Sequence, residues 1–297
     1  MSHDVKPNDF ADGQARRDAG ASDRAASQSD RSLSRGAAWL AALTDDATPL
    51  AGSPASVRVV DGSLGGEPCR YIAVVPDPAN PYPRARDGEV GLIEGWELGR
   101  RVHEAIVADR DSGRPRTIVA VIDVTSQAYG RREEALGIHA ALAGAAGAYA
   151  EARLAGHPVI GLVVGKAMSG AFLAHGYQAN RLIALNDPGV LVHAMGKAAA
   201  ARVTLRSIED LERLASDVPP MAYDIASYRS LGLLWKLLDV GSLRPVGIAD
   251  VTVVRAALEA ARRDIVDDPE RDLRSRLGGG ANRDASSRVR GRLAALW

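Results

Sequence analysis

Two continuous apolar runs, residues 117–122 and 159–164, have the length of strands buried on both faces. Between them lies an alanine-rich stretch, 134–155, that reads as a long helix, and a third short run at 181–185 reads as another strand. Strand, crossover helix, strand, helix, strand predicts an α/β fold with parallel pairing. Pro158 stands before the second strand, where a missing N–H is tolerated. Upstream, residues 56–60 and 70–75 are rich in β-branched side chains around the glycine-bearing segment 61–67, which predicts a hairpin. Residues 76–83 hold prolines that interrupt regular structure, and 94–107 places Trp96, Leu98, Val102, Ile106 and Val107 near helical spacing. Further helices are expected at 170–178 after a loop over 165–169, and at 207–215, 222–233 and 250–265, the last with Asp250 as N-cap.

Residues 1–34 offer almost nothing to bury and predict a disordered tail, 35–266 a folded domain, and 267–297 an Arg-rich helix and tail containing the triplet Gly278 to Gly280. Of the 297 residues, 46% are apolar and 25% charged, as in ordinary globular proteins. Thirty-seven basic residues balance thirty-seven acidic ones, so no net charge draws the chain to nucleic acid or an anionic membrane. No apolar run approaches the roughly 20 residues that span a bilayer, and no signal-peptide core is evident, which predicts a cytoplasmic protein. The single cysteine, Cys69, excludes an internal disulfide and reads as a strand residue.

In open α/β sheets ligands sit outside the carboxyl ends of strands, here the loops after Ile122 and Val164. Gly165-Lys-Ala-Met-Ser-Gly-Ala opens a helix with residues too small to cover their backbone, so the N–H groups of Gly170 and Ala171 are candidate donors to an anionic oxygen. Small residues that merely let a helix approach a sheet explain the pattern equally well. Two rival motifs fail. A phosphate-binding loop is one residue short and has Ala167 where Ser or Thr should hold magnesium. A nucleophile elbow at Ser169 leaves His175 and His193 as the histidines that follow, one on the same short helix and one too near for an intervening acid strand. In the first loop, backbone N–H groups from Gln127 to Tyr129, Ala128 among them, are candidates for a second oxyanion site, against the plainer reading of a capping turn. His103, His139 and His157 read as structural, and no His-Glu-x-x-His spacing suggests a metal.

With both loops in hand, the stretch 121–185 resembles the carboxyltransferase alpha half of acetyl-CoA carboxylase and its relatives. The matching residues are Asp123, Ala128 and Tyr129, Glu133 and Glu134, and Gly165, Ser169 and Gly170; Ala171 stands where that family has a second glycine, and Val-Thr-Ser-Gln replaces Thr-Pro-Gly in the first loop. The finer resemblance, over residues 35–265, is to the gamma subunit of biotin-independent malonate decarboxylase, carried by Gly165-Lys-Ala-Met-Ser-Gly-Ala-Phe-Leu-Ala-His-Gly and Val192-His-Ala-Met.

That resemblance implies a crotonase-like fold with ββα superhelical turns and a helical C-terminal region. It implies a beta subunit that completes the active site, and a malonyl thioester on an acyl carrier subunit bearing a coenzyme-A-like prosthetic group. No cofactor bound by this chain is expected, biotin included, since neither Met168 nor Met195 flanks a lysine in the Met-Lys-Met form. The chemistry implied is decarboxylation to the acetyl thioester and CO2 around Gly170, Ala171, Gln127 and Ala128. Gly165, Lys166, Ser169, Tyr129 and His193 lie against the substrate, and Lys166, Tyr129, His193 and water are the candidate proton donors. Two other readings stand beside it: the alpha half of a biotin-dependent acyl-CoA carboxyltransferase, and a non-catalytic half that docks the carrier.

Overall fold

A computed structural model describes residues 34–241, 246–277, 280 and 282–297. The expected tail, save Ser34, and Gly278 and Gly279 lie outside the described residues.

Helix α1 (Arg35–Leu43) opens the fold, with the Ser34 hydroxyl accepting from the Ala37 N–H at 3.1 Å and Trp39 and Leu40 buried. Strands β1 (Val57–Leu64) and β2 (Glu67–Val74) form the hairpin, longer than the residue pattern predicts. Asp61, Gly62 and Ser63 continue the ladder opposite Arg70, Cys69 and Pro68, because Gly65 and Gly66, at φ 61° and 81°, turn the chain in two residues. Cys69 is a buried strand residue whose thiol is held protonated by that burial.

Helix α2 (Leu92–Asp109) buries Leu98, Val102 and Ala105, whereas Trp96 is 60% and Val107 61% exposed, so the buried stripe is rotated from the expected one. The reason is α4 (Ile138–Leu154), which α2 approaches so closely that a Cβ on Gly95 would sit 2.9 Å from the backbone of Ala141. The single expected helix 134–155 is two, α3 (Arg131–Ala135) and α4, because Gly137 takes the left-handed conformation at φ 86°.

Strands β3 (Thr117–Val124), β4 (Val159–Met168) and β5 (Arg181–Leu185) pair in parallel at the middle of a sheet that has seven strands among the described residues, in the order β1-β2-β3-β4-β5 and then β7 (Lys236–Leu238). The segment 165–169 is not a loop, as its glycine and serine suggested. Residues 165–168 continue β4 because β6 (Leu191–His193) pairs with Lys166, Ala167 and Met168, and Ser169 opens the next helix. That helix, α5 (Ser169–Ala174), is short and ends well before Gln178.

The remaining helices are α6 (Lys197–Thr204), α7 (Ile208–Asp217) and α8 (Ile225–Ser230), followed by β7 (Lys236–Leu238), α9 (Ile248–Asp267) and α10 (Asp284–Leu296). Ala222 and Tyr223 are not helical: Tyr223 O accepts from the Val192 N–H at 2.9 Å, and Asp224 caps α8 instead. Gly247, not Asp250, is the N-cap of α9, and Asp250 sits in its first turn. Among the described residues no helix is long and apolar enough to cross a membrane.

Candidate active site

The parallel register between β3 and β4 slips between Ile122 and Val124, where β4 has extra residues. Into that bulge Asp123 turns its carboxylate, with Oδ1 accepting from the Lys166 N–H and Oδ2 from the Gly36 N–H, both at 3.1 Å. Gly165 leaves the room for it: a Cβ there would lie 2.1 Å from Asp123 Oδ1. The glycine and aspartate of the two motifs are therefore one contact, and α1 is tied to the end of β4 through it. The Lys166 side chain itself is exposed.

At the end of β4 the chain turns sharply. Ser169 has φ 57°, the left-handed region that a non-glycine residue seldom adopts, so the strand-to-helix corner has the backbone form of a nucleophile elbow. Its chemistry is different. The Ser169 hydroxyl donates to the Ala194 carbonyl at 3.0 Å. His175 is buried, with its Nδ1 3.0 Å from the Tyr149 hydroxyl and Nε2 3.1 Å from the Val121 carbonyl, and desolvation pushes its pKa down to about 4. The His193 ring stacks on Tyr223 at 3.8 Å between centroids and bonds through Nδ1 to the Met195 backbone. Burial lowers its pKa below the ordinary value. Among the described residues no hydrogen bond joins Ser169 to either imidazole.

The Gly170 N–H donates to the Gln127 side-chain Oε1 at 2.7 Å, a short and strong bond, and Ala171 beside it is fully buried. Helix α5 has six residues, so its macrodipole is slight, and what this corner offers an oxygen is the individual N–H group.

The first loop corrects the expected backbone donors. Val90 pairs with Gln127 as an isolated parallel bridge, in which the Val90 N–H donates to Ser126 O at 3.0 Å and the Ala128 N–H to Val90 O at 2.9 Å. The Tyr129 N–H donates to Gln127 O at 2.8 Å. Ala128 and Tyr129 thus have no free N–H, because the loop closes on itself, and Gln127 reaches the site by its side chain. The Tyr129 ring is 57% exposed, and hydrogen bonding to Glu134 raises its phenol pKa.

Glu94, which the residue pattern did not single out, anchors this arrangement. It is fully buried and accepts from Ser56 Oγ at 2.6 Å, Asn80 Nδ2 at 2.7 Å and the Gly91 N–H at 2.9 Å. The signal was a glutamate three residues after Gly91, the spacing of a capping box. Beside the corner a cavity of about 310 Å³ is lined by Ser169, Gly170, Phe172, Val192, His193 and Tyr228 among others. Among the described residues no three His, Cys, Asp or Glu side chains gather as a metal site.

A mostly parallel sheet carrying a hairpin at one edge, with sharp corners at the ends of β3 and β4, is a crotonase-like fold. Solved structures agree in fold: the transcarboxylase 12S core with hydrolysed methylmalonyl-coenzyme A bound is 19% identical, with a TM-score of 0.57 over 76% of this chain and 39% of that one. The profile of the malonate decarboxylase gamma subunit matches residues 85–297, and the chain belongs to that family. A Pseudomonas malonate decarboxylase hetero-tetramer in complex with coenzyme A contains a chain 65% identical, with a TM-score of 0.86, covering 89% of this chain and all of that one. A Pseudomonas MdcD-MdcE hetero-dimer matches at 63% and 0.82 over the same shares. Among curated proteins, the malonyl-S-ACP:biotin-protein carboxyltransferase MADD of Malonomonas rubra is 32% identical over 207 residues, 67% of this chain and 71% of that protein.

Proposed function

We propose that this chain joins a beta subunit in the cytoplasm. Together they decarboxylate a malonyl thioester, carried by the coenzyme-A-like group of an acyl carrier subunit, to the acetyl thioester and CO2. The N–H groups of Gly170 and Ala171 hydrogen-bond the oxygen on which charge develops. When the bond between the carboxylate carbon and Cα breaks, its electron pair passes into the thioester as an enolate, and a fixed N–H donor lowers that barrier. Exclusion of water by the partner's surface weakens solvation of the departing carboxylate. Protonation at Cα then gives the acetyl group. Buried, neutral His175 is outside this chemistry, which leaves Lys166, Tyr129, His193 and water as proton sources.

The observation that carries the reading is the 2.7 Å bond from the Gly170 N–H to Gln127 Oε1, which shows this donor aimed out of its own helix at an oxygen acceptor. The test is release of CO2 from carboxyl-labelled malonyl-pantetheine by the co-expressed gamma and beta chains. The pair is expected to be active and the gamma chain alone inactive. Gly170→Pro, which deletes the donor, is expected to lower kcat by about 10²-fold to 10³-fold. Undiminished turnover in a folded Gly170→Pro heteromer would assign the chain a purely scaffolding role.

A second reading has one observation in its favour, the 32% identity to a carboxyltransferase that acts on a biotin protein. It requires avidin-sensitive transfer of the carboxyl group, whereas the first reading requires CO2 release that avidin leaves untouched.

A further inference from the structure

Resting on the decarboxylase reading above, we propose that Gln127 is a specificity-determining residue. Its amide oxygen competes with substrate for the Gly170 N–H, so this donor passes only to an oxygen that carries or is gaining negative charge.

The contact is built. The backbone of Gln127 is held in place: its carbonyl accepts from Ser126 Oγ at 2.6 Å and from the Tyr129 N–H at 2.8 Å, and the neighbouring Ala128 N–H is fixed to Val90. Val90 in turn precedes Gly91, whose N–H is bound by buried Glu94. The side chain leaves this clamp aimed at the β4–α5 corner. Glycine at 170 lets it close in, since a Cβ there would sit 3.1 Å from Gln127 Oε1 and 3.5 Å from Leu142 Cδ1. Because an N–H can be bound only by the amide's oxygen, the orientation of the amide is set by the contact itself. The side chain is half-buried, so on release its amide is rehydrated rather than stranded.

The energetic consequence follows from what is exchanged. A neutral thioester carbonyl that displaces the neutral amide oxygen trades one bond for a similar one and gains little. An enolate or carboxylate oxygen forms a charge-assisted bond about twice as strong, and displaces it. The competitor therefore removes binding common to ground state and transition state while leaving the charge-dependent part. An interaction of that kind raises KM and spares kcat.

The test uses the purified gamma–beta heteromer, with malonyl-pantetheine as substrate and acetyl-pantetheine as neutral product inhibitor. Gln127→Leu keeps bulk and removes the competing oxygen. KM and the acetyl-pantetheine inhibition constant are expected to fall together about fivefold to tenfold, one neutral hydrogen bond's worth, with the change carried by KM rather than kcat. Gln127→Glu, which holds the N–H more tightly, is expected to lower kcat/KM at least tenfold without lowering the melting temperature, and it decides the matter if Gln127→Leu fails to assemble. An unshifted KM or a reduced kcat in Gln127→Leu, or wild-type kinetics in Gln127→Glu, overturns the inference while the decarboxylase reading stands. A wild-type heteromer that releases no CO2 overturns both.

Discussion

At the scale of single residues, His175 gives the clearest pH dependence. Its folded pKa of about 4 lies below the ordinary 6.5, so the folded chain binds fewer protons than the unfolded one. Its contribution is fully present above pH 6.5 and is lost as pH falls toward 4, a loss of about 3 kcal/mol. His157, also lowered by burial, acts in the same direction. The melting temperature is expected to fall between pH 7 and pH 4.5, and less steeply in His175→Gln; equal slopes for the two proteins would refute the assignment. A second residue-scale expectation concerns Gly165→Ala, whose methyl would meet the Asp123 carboxylate and loosen its hold on Lys166 and Gly36. Destabilisation of about 2 kcal/mol in urea unfolding is expected, with lower turnover. Gly165, Ser169 and Gly170 were legible as a motif, because small residues between an apolar run and a helix have few purposes. The part of Gln127 was not: a sequence marks the loop, but whether its backbone or its side chain faces the site depends on Val90, which lies 37 positions earlier.

At the scale of elements, the apolar runs that became β3, β4 and β5 and the segments that became α2, α4, α7 and α9 were legible because each carries its own residue pattern, whereas α1 and α6 were not expected. The failures are elements made by their neighbours. Strand β6 has three residues and no pattern of its own, yet its pairing converts residues 165–168 of the expected loop into strand and thereby fixes where the corner at Ser169 falls. Val192→Pro removes the N–H that reaches Tyr223 and disturbs that pairing. Turnover by the assembled heteromer is expected to drop at least tenfold while far-UV circular dichroism changes little. Retained turnover would mean that β4 holds the corner unaided. The split at Gly137 illustrates the opposite case, a break that the alanine-rich composition of the surrounding stretch concealed.

At the scale of the molecule, the C-terminal segment is more than the frayed end its Arg-rich composition suggested. Buried Arg276 donates to the carbonyls of Tyr177 and Ala179, the Asn180 amide donates to Arg271 O, and Asp268 pairs with buried Arg181 at 2.9 Å. Removing residues 268–297 takes the partners from Tyr177 O, Ala179 O and Asn180 Nδ2 and leaves Arg181 with Asp264 as its one carboxylate, and is expected to cost at least about 3 kcal/mol. Removing only α10, residues 284–297, which buries nothing, is expected to cost under about 1 kcal/mol. Chemical denaturation of the two truncations reads the difference directly. The Asp123 carboxylate works across a comparable reach, joining α1 to β4 with Gly36 and Gly165 both pressed against it. In terms of inheritance these three positions are a single character. A lineage that lengthens the side chain at 123 or adds one at 165 must alter the other in the same step, so in an alignment of relatives 36, 123 and 165 are expected to change together or not at all.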